Sequence, residues 1–413
     1  MWPTSDGRLT RLVVFAPLAG ESVPVGELVF EGRDRRQSFF RYAESWLRRG
    51  AEAHAVSPVL PLRRKAVLGA PYPLPLPFYD AAPDGWGRAV LNQAFPHQEW
   101  GMAEILAAAG SNRTGELQFG PDPAAPPEQF IPGEPLVDMP AGQATLEELL
   151  EAAEAVDAGR PRTHHLHLLY RSSADAGGAR PKTHLLRDGG HWLAKFPALG
   201  DPFDDPRIEA ACLDLAEACG IDTPARDLVT IAGRSVLLVR RFDRGPAGEA
   251  LGYASAATLV GQPPLEYVTK ASYAGLAVRA RELGVVPCEA ELFRRLLFNA
   301  FIHNTDDHLR NHAFIRRDGR WRLSPVFDLV PNARARLVLV PAMGVDPLPD
   351  PRIALAAHGQ FGLDAASATA IYDGVVAGLA GLGEILDRRE VSPRDRETLR
   401  TLAPLAFAPP LPG

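Results

Sequence analysis

One stretch of this sequence constrains the fold more than any other, because it places a polar loop between an apolar helix and a β-hairpin. Residues 292–302 are apolar at helical spacing. Residues 313–323 alternate around an Asp-Gly pair, which is typical of a hairpin with a tight turn. The polar segment 304–311 precedes this hairpin and Asp328 follows it. The sequence therefore predicts that the acids of both segments converge on one edge of a sheet.

Phosphoryl transfer requires the residue types found in these two segments. A carboxylate orients the attacking hydroxyl group, while an amide and a second carboxylate hold Mg²⁺. Asp306, Asn311 and Asp328 supply such a set, with the amide five residues after the first acid. The spacing indicates a candidate site for phosphoryl transfer.

A metal-dependent hydrolase is an alternative interpretation of the same loop. The metal-ligand types in it are His303, Asp306, Asp307, His308 and His312. His308 and His312 lie on either side of a predicted loop-to-strand boundary, so one helix face cannot be assumed for them. No H-E-x-x-H or similar spacing occurs. A polar loop with a purely structural role is a third interpretation.

Three features upstream of the polar loop fit nucleotide binding. Lys195 lies in an alternating strand and Glu209 in the first turn of the next helix, which is the order in which kinases hold the α- and β-phosphates. The pair Gly177-Gly178 precedes that strand, and glycines let backbone N–H groups approach a phosphate closely. Each feature also has an ordinary interpretation, as an edge-strand lysine, a charge at a helix start and a turn.

The segment Arg240-Arg241-Phe242 ends a predicted strand, where a two-lobed kinase has the hinge whose backbone pairs with adenine. Alone, it is equally well interpreted as the end of a surface strand. The order of glycine loop, lysine, glutamate, hinge, Asp/Asn loop and second Asp favours phosphoryl transfer over the alternatives.

Composition narrows the class of protein. The chain has 413 residues, a length that favours two or more subdomains, and its formal net charge of −6 gives no case for nucleic-acid binding by the whole chain. Its three cysteines, Cys212, Cys219 and Cys288, form no C-x-x-C pair and indicate no disulfide framework, which fits a reducing cytoplasm. Cys212 and Cys219 would share one helix face and are predicted to be buried thiols. No segment approaches the roughly 18 consecutive apolar residues of a membrane span.

The predicted elements are β-rich in the first part of the chain and α-rich in the second. Residues 120–142 are rich in Gly and Pro and are the clearest candidate for a linker. Thr145 opens a predicted capping box for the helix that follows this segment. β-rich followed by α-rich is the order of a two-lobed kinase-like body.

Four segments in this order carry a family resemblance: Gly177–Lys182 (GGARPK), Leu237–Arg244 (LLVRRFDR), Asn304–Asn311 (NTDDHLRN) and Ser324–Asp328 (SPVFD). They resemble the phosphate loop, hinge, catalytic loop and metal-binding segment of the HipA family of bacterial serine/threonine kinases, the toxins of type II toxin–antitoxin modules. Three more segments resemble the first subdomain of that family: Val25–Phe30, Pro83–Arg88 and Gly110–Leu117. The resemblance covers about residues 10–385.

The resemblance implies an α+β chain with a two-lobed, protein-kinase-like (HipA-like) fold. We expect a β-rich N-terminal subdomain and a largely α-helical C-terminal lobe. The expected divisions are a HipA N-terminal subdomain at 1–120, a Pro-rich linker or loop at 121–145, a kinase N-lobe-like region with phosphate loop and hinge at 146–245, and a helical catalytic lobe at 246–413.

The resemblance also implies roles for individual residues. Asp306 is the expected catalytic base, and Asn311 and Asp328 are the expected Mg²⁺ ligands. The expected nucleotide-binding residues are Gly177, Gly178, Ala179, Arg180, Lys182, Lys195, Glu209, Arg240, Arg241, Phe242, His308 and Asn311.

Two positions depart from the family pattern. Arg240 stands where the family hinge often has an acid. Asp175 stands where some members carry a serine that is autophosphorylated and inactivates the kinase, and Ser172 and Ser173 lie nearby. An aspartate cannot accept phosphate, so the family route of autoinhibition would need one of these serines.

The function that the resemblance implies is Mg·ATP-dependent phosphorylation of a serine or threonine in a cytoplasmic protein, such as an aminoacyl-tRNA synthetase. The implied partner is a HipB-like antitoxin, whose helix-turn-helix would make the DNA contact, and no membrane is involved. The alternative is a degenerate kinase-fold module that acts mainly by binding the antitoxin.

Overall fold

The structure, a computed structural model, describes residues 2–5, 8–32, 37–131, 144–262 and 271–410. The chain forms two units: Met1–Leu199 with Ile231–Gly233 and Asp243–Ala254 make unit 1, and Gly200–Thr230 with Arg234–Phe242 and Ser255–Gly413 make unit 2. The predicted linker at 121–145 lies partly outside the described residues. The domain boundaries expected from the sequence therefore stay a prediction.

The strands are, in chain order, β1 Thr4–Ser5, β2 Arg8–Leu9, β3 Arg11–Leu18, β4 Glu21–Glu31, β5 Gln37–Tyr42, β6 Val67–Leu68, β7 Gln118–Gly120, β8 Lys182–Arg187, β9 Gly190–Lys195, β10 Arg226–Ile231, β11 Arg234–Arg240, β12 Gly252–Ser255, β13 Ala313–Arg317 and β14 Arg320–Leu323.

The helices are α1 Glu44–Leu47, α2 Pro77–Asp80, α3 Gly85–Ala94, α4 Met102–Ala108, α5 Leu146–Asp157, α6 Thr163–Ser173, α7 Asp205–Ala218, α8 Ala256–Val260, α9 Tyr273–Glu282, α10 Glu289–Phe301, α11 Pro351–Ala356, α12 Ala365–Leu379, α13 Leu382–Arg388, α14 Pro393–Leu402 and α15 Pro404–Phe407. Short 3-10 turns cover Gly50–Glu52, Leu309–Asn311 and His358–Phe361.

Unit 1 begins with a five-stranded antiparallel sheet in the order β6-β5-β4-β3-β7. Residues 12–16 of β3 are all buried, so both faces of this strand are shielded from solvent. Along β4, buried side chains alternate with partly exposed ones. Trp46, Phe40 and Phe78 are fully buried in the core that this sheet shares with α4. Strands β3, β4 and β5 are neighbours both in the chain and in the sheet, so they form an antiparallel meander.

The second part of unit 1 contains the hairpin of β8 and β9, paired from Lys182↔Lys195 to Arg187↔Gly190. Helix α6 packs against α3, α5 and β8. The capping box predicted at Thr145 is confirmed, because its Oγ1 accepts from the backbone N of Glu148 (3.2 Å) and Glu148 Oε2 accepts from the backbone N of Thr145 (2.7 Å).

Unit 2 is built around α10, which packs against α9, α11 and α12. Residues 292–301 of α10 are almost wholly buried, which explains why this helix reads as apolar on most faces. Helix α7 packs on β11, α12 and α13. The hairpin of β13 and β14 follows the polar loop after α10, with Phe314 opposite Leu323, as the Asp-Gly turn predicts.

Asp214 of α7 is the centre of an ion cluster in unit 2. Its carboxylate accepts from Arg226 Nε (2.7 Å) and from Arg389 Nε and Nη2 (2.7 and 2.8 Å), and Arg388 Nη2 lies 3.3 Å away. Burial by itself would raise the pKa of Asp214, but the hydrogen bonds from Arg389 and Arg226 lower it below the usual value. The cluster therefore joins α7 to the chain that follows α13.

No single helix in the described ranges is long and apolar enough to cross a membrane; α12 and α13 reach that length only as a pair bent by 41°. All three cysteines are buried free thiols, which confirms the prediction for Cys212 and Cys219. Burial raises the pKa of Cys219 and of Cys288 to about 12, so both remain protonated at neutral pH.

We expect Asp214→Asn to destabilise the protein by about 3 kcal/mol, because it removes the carboxylate that Arg226 and Arg389 share, and the side chains of both arginines are largely buried. The native pKa of Asp214 is lowered, so its contribution is present above its unfolded pKa of about 4 and is lost as the pH falls through the native value. Urea denaturation of both proteins at several pH values measures this difference.

The matched control is Asp373→Asn, at an exposed position of α12. It should leave the midpoint of unfolding nearly unchanged. A gap between wild type and Asp214→Asn that stays constant down to about pH 2 would contradict the assignment.

Candidate active site

The polar loop begins where α10 ends, in a Schellman-type turn. His303 has a positive φ of 55°, and the backbone N of Asn304 donates to the carbonyl of Asn299 (2.9 Å). The turn reverses the chain directly after the apolar helix. The polar residues that follow are therefore held at the helix terminus, as the position of the loop in the sequence predicts.

A buried hydrogen-bond network centred on Asp307 fixes this loop. Asp307 Oδ2 accepts from Asn299 Nδ2 (2.6 Å) and lies 3.0 Å from His312 Nε2. Asn299 Nδ2 also lies 2.9 Å from Tyr273 Oη, and its Oδ1 accepts from Asn304 Nδ2 (3.1 Å). Asp307, Asn299 and His312 are each at most 2 % exposed. Asp307 and His312 thus have structural roles in the loop.

Asp306, next to Asp307 in the sequence, has a side chain that is 41 % exposed. Its Oδ1 lies 2.6 Å from Arg334 Nη1, and its backbone carbonyl accepts from Asn311 Nδ2 (3.3 Å). This second bond orients the amide of Asn311, so that Oδ1, the atom that could bind a metal, is directed away from Asp306. One carboxylate and one amide oxygen are thereby presented by the same loop.

Arg334 was not identified from the sequence. The turn that carries it is bound to the polar loop: the backbone N of Asn332 donates to the His303 carbonyl (2.9 Å), and that of Val338 donates to the Thr305 carbonyl (3.1 Å). Asn332 Oδ1 also accepts from the backbone N of Arg334 (3.0 Å). The arginine is therefore held beside Asp306 by backbone contacts of its own segment.

Asp328 lies after the hairpin in a left-handed backbone conformation with φ 62°. Its backbone N donates to Glu209 Oε1 (3.1 Å), and Glu209 is 3 % exposed on α7. For a non-glycine residue this conformation is uncommon and costs free energy, although aspartate adopts it more readily than most residues. The sequence predicts that Glu209 binds nucleotide together with Lys195. In the structure Glu209 contacts the backbone of Asp328, the second acid of the proposed site.

The end of β11 approaches the same segment. The rings of Phe242 and Phe327 lie 5.4 Å apart, so the predicted hinge packs against the residue that precedes Asp328. Within this strand end, Arg240 is exposed and Arg241 is buried. The backbone N of Arg240 donates to the Ala225 carbonyl (2.8 Å). Unit 2 thus brings together the predicted hinge, Glu209 and Asp328.

The metal-ligand types of the polar loop do not form a cluster of the kind that the hydrolase interpretation requires. Among the residues that the structure describes, no group of three or more His, Cys, Asp or Glu side chains could hold a metal ion. Asp307 instead contacts His312 and Asn299. A site made of one carboxylate and one amide, such as Asp328 and Asn311, differs from such a cluster and suits Mg²⁺, which binds through few protein oxygens.

Unit 1 holds the predicted phosphate-binding residues. Lys182 and Lys195 are directly opposite each other on β8 and β9, so both side chains project from the same face of the hairpin. Gly178 has φ +83°, and a Cβ there would collide with Lys182 Nζ. Ala179 is exposed and Arg180 partly so.

Asp175 is part of the protein interior. It is 6 % exposed, and its Oδ1 lies 3.2 Å from His184 Nε2. Burial lowers the pKa of nearby Arg113 to about 10, and the charge of Asp175 acts in the opposite direction. Ser173 is fully buried, and Ser172 donates to the Leu168 carbonyl (2.8 Å) inside α6. This arrangement keeps both serines within the helix that precedes the glycine loop.

Two family models match the chain: a HipA N-terminal domain at residues 19–120 and a HipA-like C-terminal domain at residues 174–381. The C-terminal match alone covers half of the chain. A curated relative, the putative kinase Y4dM of Sinorhizobium fredii, is 32% identical over 158 residues. That stretch covers 34% of this chain and spans 37% of the relative, so just over a third of the relative is represented.

Among solved structures, a chain of the Shewanella oneidensis complex of HipA, HipB and operator DNA superposes with a TM-score of 0.67. The match covers 96% of each chain at 16% identity, which shows a shared fold. The proinflammatory kinase CtkA of Helicobacter pylori matches with a TM-score of 0.40 over 55% of this chain and 90% of its own, at 13% identity. The match to the Shewanella chain confirms the expected two-lobed, α+β kinase-like fold.

We expect Asp307→Ala to destabilise the protein by about 2–3 kcal/mol, because buried His312 Nε2 and one of the two N–H groups of Asn299 Nδ2 lose their acceptor. The matched control is the neighbouring Asp306→Ala, which removes a half-exposed ion pair and should cost at most about 1 kcal/mol. Urea denaturation followed by circular dichroism measures both. Equal destabilisation by the two variants would contradict the structural role assigned to Asp307.

Proposed function

The chain belongs to the HipA family, and from that premise we propose that it is a Mg·ATP-dependent protein kinase that phosphorylates serine or threonine. The observation that carries the proposal is the loop in which buried Asp307 holds Asp306 at the surface while Asn311 is oriented by the Asp306 carbonyl. A phosphoryl-transfer site needs these groups with fixed orientations, because its catalysis rests mainly on positioning and electrostatics.

In the proposed mechanism Asp306 accepts or orients the proton of the acceptor hydroxyl. Asn311 and Asp328 hold Mg²⁺, which would neutralise the charge that develops on the phosphates. The strained backbone of Asp328, hydrogen-bonded to Glu209, presets the direction of the second carboxylate. Lys182 and Lys195 bind the phosphates of ATP, and the Gly177–Arg180 loop covers them.

The remaining nucleotide contacts follow from the same assignment. The backbone of residues 240–242 pairs with the adenine edge, and His308 lines the nucleotide pocket. Since a hinge contact is made by backbone groups, Arg240 in place of an acid changes little. Catalytic loop, metal ligands and hinge are all carried by residues of unit 2.

The proposed biological role is that of a toxin in a type II toxin–antitoxin module acting in the cytoplasm. The acceptor would be a cytoplasmic protein such as an aminoacyl-tRNA synthetase. A HipB-like helix-turn-helix protein would be the partner and would make the DNA contact, in keeping with the net charge of −6 of this chain. Phosphoproteomics after brief expression of wild type and of Asp306→Asn identifies the acceptor.

A degenerate kinase fold that acts by binding the antitoxin is the second candidate. Its specific support is the ion pair between Asp306 and Arg334, which occupies one oxygen of the proposed catalytic carboxylate. This candidate predicts that Mg·ATP raises the melting temperature without phosphate transfer to any protein. Transfer by wild type excludes it.

We expect purified wild type to transfer the labelled γ-phosphate of ATP to itself or to a protein in a cell lysate. Asp306→Asn and Asp328→Asn should each lower the rate at least about 100-fold, because they remove the proposed base and a metal ligand. The control is Asp318→Asn at the hairpin turn, where φ is 52° and asparagine is tolerated. Labelling by both site variants at the wild-type rate would falsify the proposal.

Arg334→Gln should lower kcat about tenfold with little change in the KM for ATP, because Arg334 restricts the orientation of Asp306. Arg336→Gln is the matched control, since Arg336 lies two residues further on and pairs with Asp346 (3.3 Å). Steady-state kinetics with a saturating acceptor measures both. A faster Arg334→Gln enzyme would instead mean that the ion pair inhibits transfer.

A further inference from the structure

The start of α3 in the N-terminal part of unit 1 holds the glycine loop that resembles a phosphate loop. Asp84 Oδ1 accepts a hydrogen bond from the backbone N of Gly178, and the backbone N of Trp86 donates to the Gly178 carbonyl (2.7 Å). Both polar backbone groups of Gly178 are therefore bonded to a segment that is distant in sequence. We infer that residues 84–87, the Asp84 clamp, position the phosphate-binding loop for the nucleotide.

The side chain of Asp84 is committed to the glycine loop and not to its own helix. Asp84 is the N-cap residue of α3, a position where aspartate ordinarily accepts from a backbone N–H of the first turn. No such capping bond is present here. The carboxylate contacts Gly178 and does not cap the helix.

The glycines of the clamp allow two backbones to touch. Gly85 has φ +33°, and a Cβ there would collide with the Gly178 carbonyl. A Cβ at Gly87 would lie 2.5 Å from the Ala176 carbonyl oxygen and 3.0 Å from that of Ala174. Any larger side chain would displace residues 174–178, because the obstructing atoms belong to the backbone.

This contact has a direct consequence for ligand binding. The N–H of Gly178 points to Asp84, so the phosphates must be bound by other groups of the loop and by Lys182, whose ammonium lies against Gly178. Asp84 is therefore a positioning residue that acts through Gly178. Asp84 lies in the segment matched by the N-terminal family model and Gly178 in that matched by the C-terminal model. The first domain thereby contributes to nucleotide affinity without touching the nucleotide.

The inference rests on the nucleotide-binding part of the proposed function. Its test is the affinity of the full-length protein for a non-hydrolysable ATP analogue with Mg²⁺, measured by titration calorimetry. Asp84→Ala should weaken binding about tenfold or more, because the loop loses a charge-assisted hydrogen bond. Asp84→Asn keeps an acceptor oxygen and should retain affinity within about threefold of wild type.

A second pair of variants tests the close backbone approach. Gly87→Ala should weaken binding about tenfold, because a displacement of the loop misplaces the groups that bind the phosphates. Gly374→Ala is the matched control, since a Cβ at this helical glycine would meet nothing within 4 Å. Melting temperatures without nucleotide show whether each variant is folded.

The outcomes separate the inference from the proposed function. If the affinity of the Asp84→Ala variant for the analogue is within twofold of that of wild type, the role assigned to the Asp84 clamp is wrong. An Asp84→Asn variant as weak as Asp84→Ala also overturns it, because positioning by a hydrogen bond then fails. If wild type binds the analogue but never transfers phosphate, the kinase proposal is wrong. The affinities of the Asp84 variants then still decide whether the clamp positions the loop. Wild type that does not bind the analogue overturns both.

Discussion

The buried carboxylate of Asp307 is the interaction on which the candidate site depends. It stands in the protein interior with three polar neighbours, Asn299, His312 and, through Asn299, Tyr273. Polar groups at this depth are stable only when each has a partner, so the network has a narrow set of arrangements. Because Asp306 precedes Asp307 in the chain, the fixed side chain of one acid determines where the other is presented to solvent.

A second constraint acts on Asp328, where the backbone has a conformation that costs a non-glycine residue of order 1–3 kcal/mol. The hydrogen bond from its backbone N to buried Glu209, and the ring contact between Phe242 and Phe327 just before it, oppose relaxation of that strain. Two contacts, one from α7 and one from the strand end at Phe242, thus hold the backbone of Asp328 in place. The acid is preset before any ligand arrives, so ligand binding need not pay for ordering it.

Sequence patterns predicted the features that depend on neighbours in the chain. Apolar periodicity located α10, alternation around Asp-Gly located the hairpin of β13 and β14, and the Thr145 capping box marked the start of α5. These signals are local, because side-chain period and turn chemistry are set within a few residues.

Contacts between distant segments could not be predicted in the same way. Arg334 has no spacing rule that links it to Asp306, and no local pattern around Asp84 predicts its bond to Gly178. The resemblance places Asp175 at the position of a regulatory serine, yet the fold buries it against His184. In each case the contact depends on which distant backbone segments pack together. Local patterns in a single sequence do not predict that packing.

The ion cluster at Asp214 extends the folding unit past the end of the recognised family domain. The match to the C-terminal model stops at residue 381, whereas Arg388 and Arg389, which contact Asp214, lie beyond it. A chain cut at that boundary would keep Arg226 but lose the other two guanidinium groups from a carboxylate that is 7 % exposed. Domain limits drawn from sequence similarity would then yield a protein with an under-compensated buried charge. The contacts of Asp214 therefore extend beyond the residues that the family model matches.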